Sequence, residues 1–254
     1  KFAYLNIAAG CSRNAVATGS ELASSFIRSA FLTTICDPEA DLEKTPTKAF
    51  DADFLRWMLS DGAGAVFLAD RPAQNKLSLR VDWFEHCSYA GELPTCMFSG
   101  GVQAPSGEVT GWRHTEDVPE EEKSCLFDVR QDIKLLDTHI QPIFRRTLTQ
   151  ATVKHKLKPE EVDWFLPHYS SGYFRPRLYD SMKQIGFEIP YEKWFTNLTT
   201  KGNTGSAAIY IILADLAASG KLSPGQRLLC FIPESGRFSN CFMLLTAVAA
   251  SRDA

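Results

Sequence analysis

No two of the seven cysteines, at positions 11, 36, 87, 96, 125, 230 and 241, are spaced Cys-x-x-Cys. Zinc and iron–sulfur sites built on that spacing are poor readings, and no metal is expected. Charge of one sign is also lacking: 27 Lys and Arg stand against 30 Asp and Glu, a net charge of -3. No basic surplus therefore points to nucleic acid. Long apolar runs are missing too, since the longest, Ala207 to Ala214, stops at Asp215, too short to span a bilayer. No secretory signal is visible. Cys230 and Cys241 lie in apolar runs and read as core thiols, and the odd cysteine count fits a reducing compartment. Cytoplasmic localisation is the expectation.

What is present is ordinary globular composition: 254 residues, 44% hydrophobic and 22% charged, enough for one large domain or two smaller ones. Residues 2–10 read as the latter part of a helix ended by Gly10, and the chain begins at Lys1 as though inside an element. Asn14–Gly19 reads as a short buried strand with Ser20 and Glu21 at its end. Residues 22–49 read as a charged, proline-punctuated surface excursion with a short helix over Ser24–Leu32. Asp61–Leu68 enters a second buried strand through alanine and glycine, which implies close approach of a neighbouring backbone. Leu77–Tyr89 reads as a strand and Gly91–Pro119 as loop.

The character changes near Asp128. Ile133, Leu136, Ile140, Ile143, Phe144 and Leu148 recur at helical spacing, with Pro142 placed to bend the helix. Val162–Leu166 is a strand stopped by Pro167, and a helix follows over Arg177–Ile185. Lys201-Gly202-Asn203-Thr204-Gly205-Ser206-Ala207-Ala208 opens an apolar helix that runs to Ala218. Arg227–Ile232 and Asn240–Leu245 are closing strands around the turn Pro233–Gly236. Alternating strands and helices indicate an α/β fold. A boundary falls naturally between the 91–119 loops and the helix beginning near Asp128, which divides the chain into 1–122 and 123–254.

Of five histidines, His86 beside Glu85, His114 in a polar loop, and His139 and His155 in or near the long helix read as exposed or structural. His168 differs, because it stands where the Val162–Leu166 strand gives way to a loop, and ligands bind at such strand ends in open α/β sheets. A satisfied structural histidine is the competing reading. Asn203 has an equivalent place before its helix. It is either a helix cap or, with Thr204 or Ser206 capping instead, a side chain whose NH2 faces a cavity. Donors from His168 and Asn203 aimed at one oxygen would stabilise an enolate or oxyanion. Such a pair lacks a nucleophile. Cys11 is a poor one, since it follows the end of a helix, whereas helix N-termini favour thiolate.

Four separated features, in order, resemble the ketoacyl-ACP synthase III group of the thiolase superfamily. They are Asn14-Ala15-Val16-Ala17-Thr18-Gly19-Ser20-Glu21, Asp61-Gly62-Ala63-Gly64-Ala65, Val162-Asp163-Trp164-Phe165-Leu166-Pro167-His168 and Gly202-Asn203-Thr204-Gly205-Ser206. Pro233–Ser239 looks like that family's glycine-rich turn near the active site. The resemblance implies a thiolase-like five-layered fold, here with an incomplete N-terminal half. It implies a Cys-His-Asn set in which His168 and Asn203 match the non-nucleophilic members and the cysteine lies upstream of Lys1. Ser235, Gly236 and Tyr169 take oxyanion or pocket-shaping places.

The activity implied is decarboxylative Claisen condensation of an acyl thioester with a malonyl- or β-ketoacyl-type thioester. Coenzyme A or phosphopantetheine thioesters are then substrates, with no tightly bound cofactor. Expected partners are a second copy or a ketosynthase-like subunit, acyl carrier protein or acyl-CoA, and a missing N-terminal segment. Arg145, Arg146, Arg175 and Arg177 either attract such a carrier or form a solvated face. Departures are visible: His168-Tyr169-Ser170-Ser171 where the family resembles His-Gln-Ala-Asn, and Glu234-Ser235-Gly236-Arg237 in the glycine-rich turn. They leave a non-decarboxylating acyltransferase of secondary metabolism, or a degenerate ketosynthase partner subunit, as alternatives.

Overall fold

The run Ser239–Val248 forms the longest closing strand because nearly every second residue, from Asn240 through Phe242 and Leu244, is buried on one face while Met243, Leu245 and Ala247 are buried on the other. A strand buried on both faces is central, and this one is. The computed structural model describes residues 1–25, 55, 57–104, 106–116, 126–127 and 129–250. The expected charged excursion at residues 37–46, most of the expected Ser24–Leu32 helix, Cys36 and Cys125 lie outside the described residues.

Helix α1 (Phe2–Ala8) precedes the antiparallel pair β1 (Asn14–Glu21) and β2 (Gly62–Ala69). The main sheet has the order β3 (Ser78–Ser88), β10 (Ser239–Val248), β9 (Arg227–Glu234), β8 (Trp164–Pro167). Of the three strand pairings in this sheet, β8–β9 is parallel and the other two are antiparallel. Between β3 and β8 come the short strands β4 (Met97–Phe98), β5 (Gly101–Gln103), β6 (Val109–Gly111) and β7 (Arg130–Gln131), then helices α2 (Ile133–His155) and, after β8, α3 (Phe174–Gln184). Helices α4 (Leu198–Lys201) and α5 (Ala208–Ala218) follow.

One face of the main sheet buries Phe165, Phe231, Phe242 and Leu244 against Phe144 and Leu148 of α2 and Leu178 and Met182 of α3. Its other face buries Leu228, Cys230, Met243 and Leu245 against Ile209, Ile212, Leu213 and Leu216 of α5. The far side of α5 meets the β1–β2 ribbon. A Cβ on Gly62 would stand 2.7 Å from Thr204 Cβ, and one on Gly19 would stand 2.7 Å from Tyr210 Cε2, so the expected close approach is real and requires glycine. Helix α1 contacts β1 and β2, and Tyr4 meets Phe84 edge-on at 5.5 Å. Four layers result: ribbon, α1 with α5, main sheet, α2 with α3.

Several expectations need correction. β1 and β2 are not fully buried strands: one face is open, with Val16 61% and Phe67 70% exposed. Their alternating pattern is that of a ribbon covered on one side. Residues 91–119 contain β4, β5 and β6 rather than loop alone. Pro167 belongs to β8, which tolerates it because β8 is the edge of its sheet. Pro142 leaves α2 one continuous helix, and α3 begins three residues earlier than its apolar spacing indicates. Cys241 is half-buried rather than a core thiol, whereas Cys230 is fully buried. β3 precedes the 122/123 division yet pairs along its length with β10.

Candidate functional site

The parallel ladder between β8 and β9 continues one residue past the strand, where the His168 N–H donates to the Phe231 carbonyl at 2.9 Å. That bond fixes His168 at the C-terminal end of β8. Burial pushes its imidazole down to about 4, so the ring is neutral near pH 7. The side chain keeps partial exposure on the cavity side, but closely surrounding protein removes most of its hydration. No described residue hydrogen-bonds its ring.

Asn203 is placed by its neighbours. Gly202 has φ 76° and ψ -174°, a combination that is essentially glycine-only. The Asn203 carbonyl accepts the Ser60 N–H at 2.9 Å. Its Oδ1 accepts the Gly205 N–H at 3.2 Å. Nδ2 has no partner among the described residues, although the residue is only 7% exposed. The residue before α5 itself is Ala207, and no side chain caps it. Thr204 makes no cap bond either. The Ser206 N–H donates to Glu21 Oε2 at 3.3 Å, and its hydroxyl donates to the Ser20 carbonyl at 2.7 Å. The first amides of the approach to α5 are thus shared: Asn203 Oδ1 takes the Gly205 N–H, and Glu21 at the end of β1 takes that of Ser206.

His168 and Asn203 line one cavity of about 800 Å³. Ser235, Gly236 and Tyr169 line it as well. Part of its wall is apolar, from Leu136 and Ile140 of α2 and Phe174 and Leu178 of α3. Two carboxylates reach the wall, Glu21 and Glu234, and among the described residues no lysine, arginine or cysteine does. Glu21 and Glu234 were not singled out as functional from the sequence. Their signal was present: each ends a strand, β1 and β9, at the same edge of the layers as His168.

Gly236 presents no free amide. Its N–H donates to the Glu234 carboxylate, and its carbonyl accepts the Cys96 N–H at 2.8 Å. The five described cysteines lie elsewhere. Cys11 is exposed after α1. Burial pushes the Cys96 thiol up to about 12 and Cys241 to about 11, and raises Cys230 as well. Among the described residues no group of three or more His, Cys, Asp or Glu is arranged to hold a metal. No helix among them is long and apolar enough to cross a membrane. Of the four arginines, Arg146 pairs with Glu92 at 2.7 Å, Arg175 lies 4.5 Å over the Tyr191 ring, and Arg177 lies over Tyr173 beside Asp137.

Residues 153–236, which contain both His168 and Asn203, match the family described as 3-oxoacyl-[acyl-carrier-protein (ACP)] synthase III C terminal. A beta-ketoacyl-[acyl-carrier-protein] synthase III from Oleidesulfovibrio alaskensis is 28% identical over 174 residues, covering 68% of this chain and 47% of its own length. One from Prochlorococcus marinus is 30% identical over 173 residues, covering 66% and 45%. The chain thus spans about half the length of the curated relatives it matches. Among solved structures, an OleA variant from Xanthomonas campestris has a TM-score of 0.68 at 20% identity, covering 96% of this chain and 60% of that one. FabH from Thermus thermophilus has 0.62 at 18%, covering 98% and 64%. The tetronic acid condensing enzyme AbyA1 has 0.65 at 14%, covering 96% and 62%. The fold is thiolase-like, like that of the FabH and OleA structures, and residues 153–236 are similar to the C-terminal part of the synthase III enzymes.

Proposed function

We propose that this chain supplies the histidine and asparagine of a Claisen-type condensing acyltransferase, whose nucleophilic cysteine comes from sequence N-terminal to Lys1. The observation that carries the reading is one cavity lined by a neutral His168 and by an Asn203 whose Nδ2 is left without a partner. In the first half-reaction the cysteine sulfur attacks an acyl thioester, and the carrier thiol leaves with a proton. In the second, a malonyl-type thioester loses CO2, and the electron pair of the broken C–C bond becomes an enolate. The enolate oxygen accepts hydrogen bonds from the His168 ring N–H and Asn203 Nδ2. Its carbon then attacks the acyl carbonyl, a β-keto thioester forms, and the cysteine thiolate departs.

A neutral imidazole suits this role. A pKa near 4 leaves about one ring in a thousand protonated at pH 7. The neutral ring donates one N–H without holding a fixed charge against the incoming thioester. The apolar wall from Leu136, Ile140, Phe174 and Leu178 suits the hydrocarbon part of a substrate or its carrier arm.

Intact mass of the full protein after incubation with acyl-CoA tests the reading. One acyl adduct on cysteine is expected, followed on addition of malonyl-CoA by loss of the adduct and appearance of a β-keto product. No adduct sinks the mechanism and favours a degenerate partner subunit. A second reading, acyl transfer without decarboxylation, is favoured by the wall itself: Glu21 and Glu234 offer a malonyl carboxylate no counter-charge. An alcohol, amine or β-keto acceptor consumed in place of malonyl-CoA distinguishes it. Delivery by acyl carrier protein, with Arg175 and Arg177 close after the cavity-lining Phe174 in sequence, and assembly as a homodimer in the cytoplasm complete the proposal.

A further inference from the structure

The turn that joins β9 to β10 departs from a glycine-rich sequence in a way that the hydrogen bonds explain. The Gly236 N–H donates to Glu234 Oε1. The Arg237 N–H donates to both carboxylate oxygens at 3.2 Å. The Ser239 hydroxyl donates to Oε2 at 3.1 Å. Three donors from three residues thus converge on one carboxylate. Phe238 adopts φ 56°, the left-handed region, within the same turn. The consecutive Gly236 and Arg237 amides both turn inward within this turn, and successive inward amides make an anion-binding concavity. No side chain fits at Gly236, where a Cβ would stand 2.7 Å from Glu234 Oε1 and 3.1 Å from the Met97 carbonyl.

We propose that the turn Glu234–Ser239 is an anion nest on the cavity wall, filled in the ligand-free protein by the Glu234 carboxylate. A carboxylate or oxyanion of a substrate gains the Gly236 and Arg237 amides only by displacing that side chain. Glu234, Ser235 and Gly236 all line the cavity, so the nest opens onto the space that a substrate enters. The three donors, one of them shared between both oxygens, hold the Glu234 carboxylate in the nest. Glu234 is therefore a specificity-determining residue: it sets a threshold that an anionic group must exceed and leaves uncharged groups unaffected. Naming a substrate anion as the displacing group rests on the condensing reading, but the nest does not.

The test uses small carboxylates and the full protein. In E234A the donors lose their acceptor, and the thermal midpoint is expected to fall by about 3–6 °C. Sodium acetate is expected to restore it in a saturable manner, while sodium chloride at equal ionic strength is not, and the parent protein is expected to ignore both. E234A matching the parent, or gaining equally from chloride and acetate, overturns the nest. Should E234A not accumulate as folded protein even with acetate, E234Q decides through amide hydrogen exchange. Gly236 and Arg237 are expected to exchange at least tenfold faster in E234Q than in the parent, and unchanged exchange overturns the proposal. Neither readout needs turnover. Absence of acyl transfer leaves the nest standing, and failure of acetate rescue leaves the condensing reading standing.

Discussion

The Ser60 N–H donates to the Asn203 carbonyl at 2.9 Å, and the Ser60 side chain fills the space that a Cβ on Gly202 would need. Position 202 is thus closed to side chains twice, by its φ of 76° and by Ser60, whose own Cβ would lie 3.0 Å away. The loop's shape is what aims the Asn203 amide. G202A is expected to cost about 2–4 kcal/mol in a urea titration. The double variant S60A/G202A is expected to recover only the steric part, because the backbone conformation remains unfavourable and the Ser60 N–H is retained. Full recovery would show that the dihedral carries no cost.

A depressed histidine pKa makes stability depend on pH in a defined window. The unfolded imidazole binds its proton near pH 6.5 and the folded one near 4. Between those values the unfolded state holds more protons, so stability present above pH 6.5 is lost as pH falls and the loss levels off below 4. A shift of that size corresponds to at most about 3 kcal/mol. Comparing urea midpoints of the parent and H168Q from pH 7 to 4.5 isolates this contribution. The two curves are expected to converge as pH falls, and parallel curves would mean that His168 is not desolvated.

Much of this was legible in the sequence, for local reasons. His168 follows a short apolar run that can only be a strand, and a strand end in an α/β sheet is a place for ligands. The Gly202–Gly205 pattern demanded a tight turn, and Gly62 and Gly64 demanded a close neighbour. What sequence could not reveal was long-range pairing. Part of the cap of the α5 approach comes from Glu21, 185 residues before Ser206, so a cap sought among Thr204 and Ser206 was sought too near. Glu234 read as turn because its partners, Gly236, Arg237 and Ser239, are backbone and hydroxyl donors with no pattern of their own. β1 and β2 read as buried because small residues mark close packing without saying on which face.

Asn240 is a second feature that no motif announces. It is fully buried on the α2 face of β10, and neither its Nδ2 nor its Oδ1 has a hydrogen-bond partner among the described residues. Its cross-strand neighbours are Pro233 and Cys87. An orphaned buried amide costs more than the apolar group that replaces it. N240L is expected to raise stability by about 1–2 kcal/mol with an unchanged urea m-value. A loss instead would mean that Asn240 holds a partner, such as a buried water, worth more than its desolvation.

The role of Asn203 is separable from its structural bonds, because its oxygen and nitrogen do different things. Oδ1 holds the Gly205 N–H, while Nδ2 has no partner among the described residues and is the group that the proposed reaction assigns to the substrate. N203D keeps an oxygen for Gly205 and replaces the donor with a second acceptor, so the loop is preserved and donation is lost. In the full protein, N203D and N203A are both expected to slow condensation by about 10²–10³-fold, the range for loss of one oxyanion donor. Acylation of the cysteine is expected to change by less than about threefold in N203D, because Asn203 enters only after the acyl group is in place. Single-turnover mass measurements read the two steps apart. Equal and mild losses in both would assign Asn203 to the loop rather than to the reacting oxygen, since a deformed wall hinders every thioester that enters, whereas a missing donor is felt only where negative charge develops.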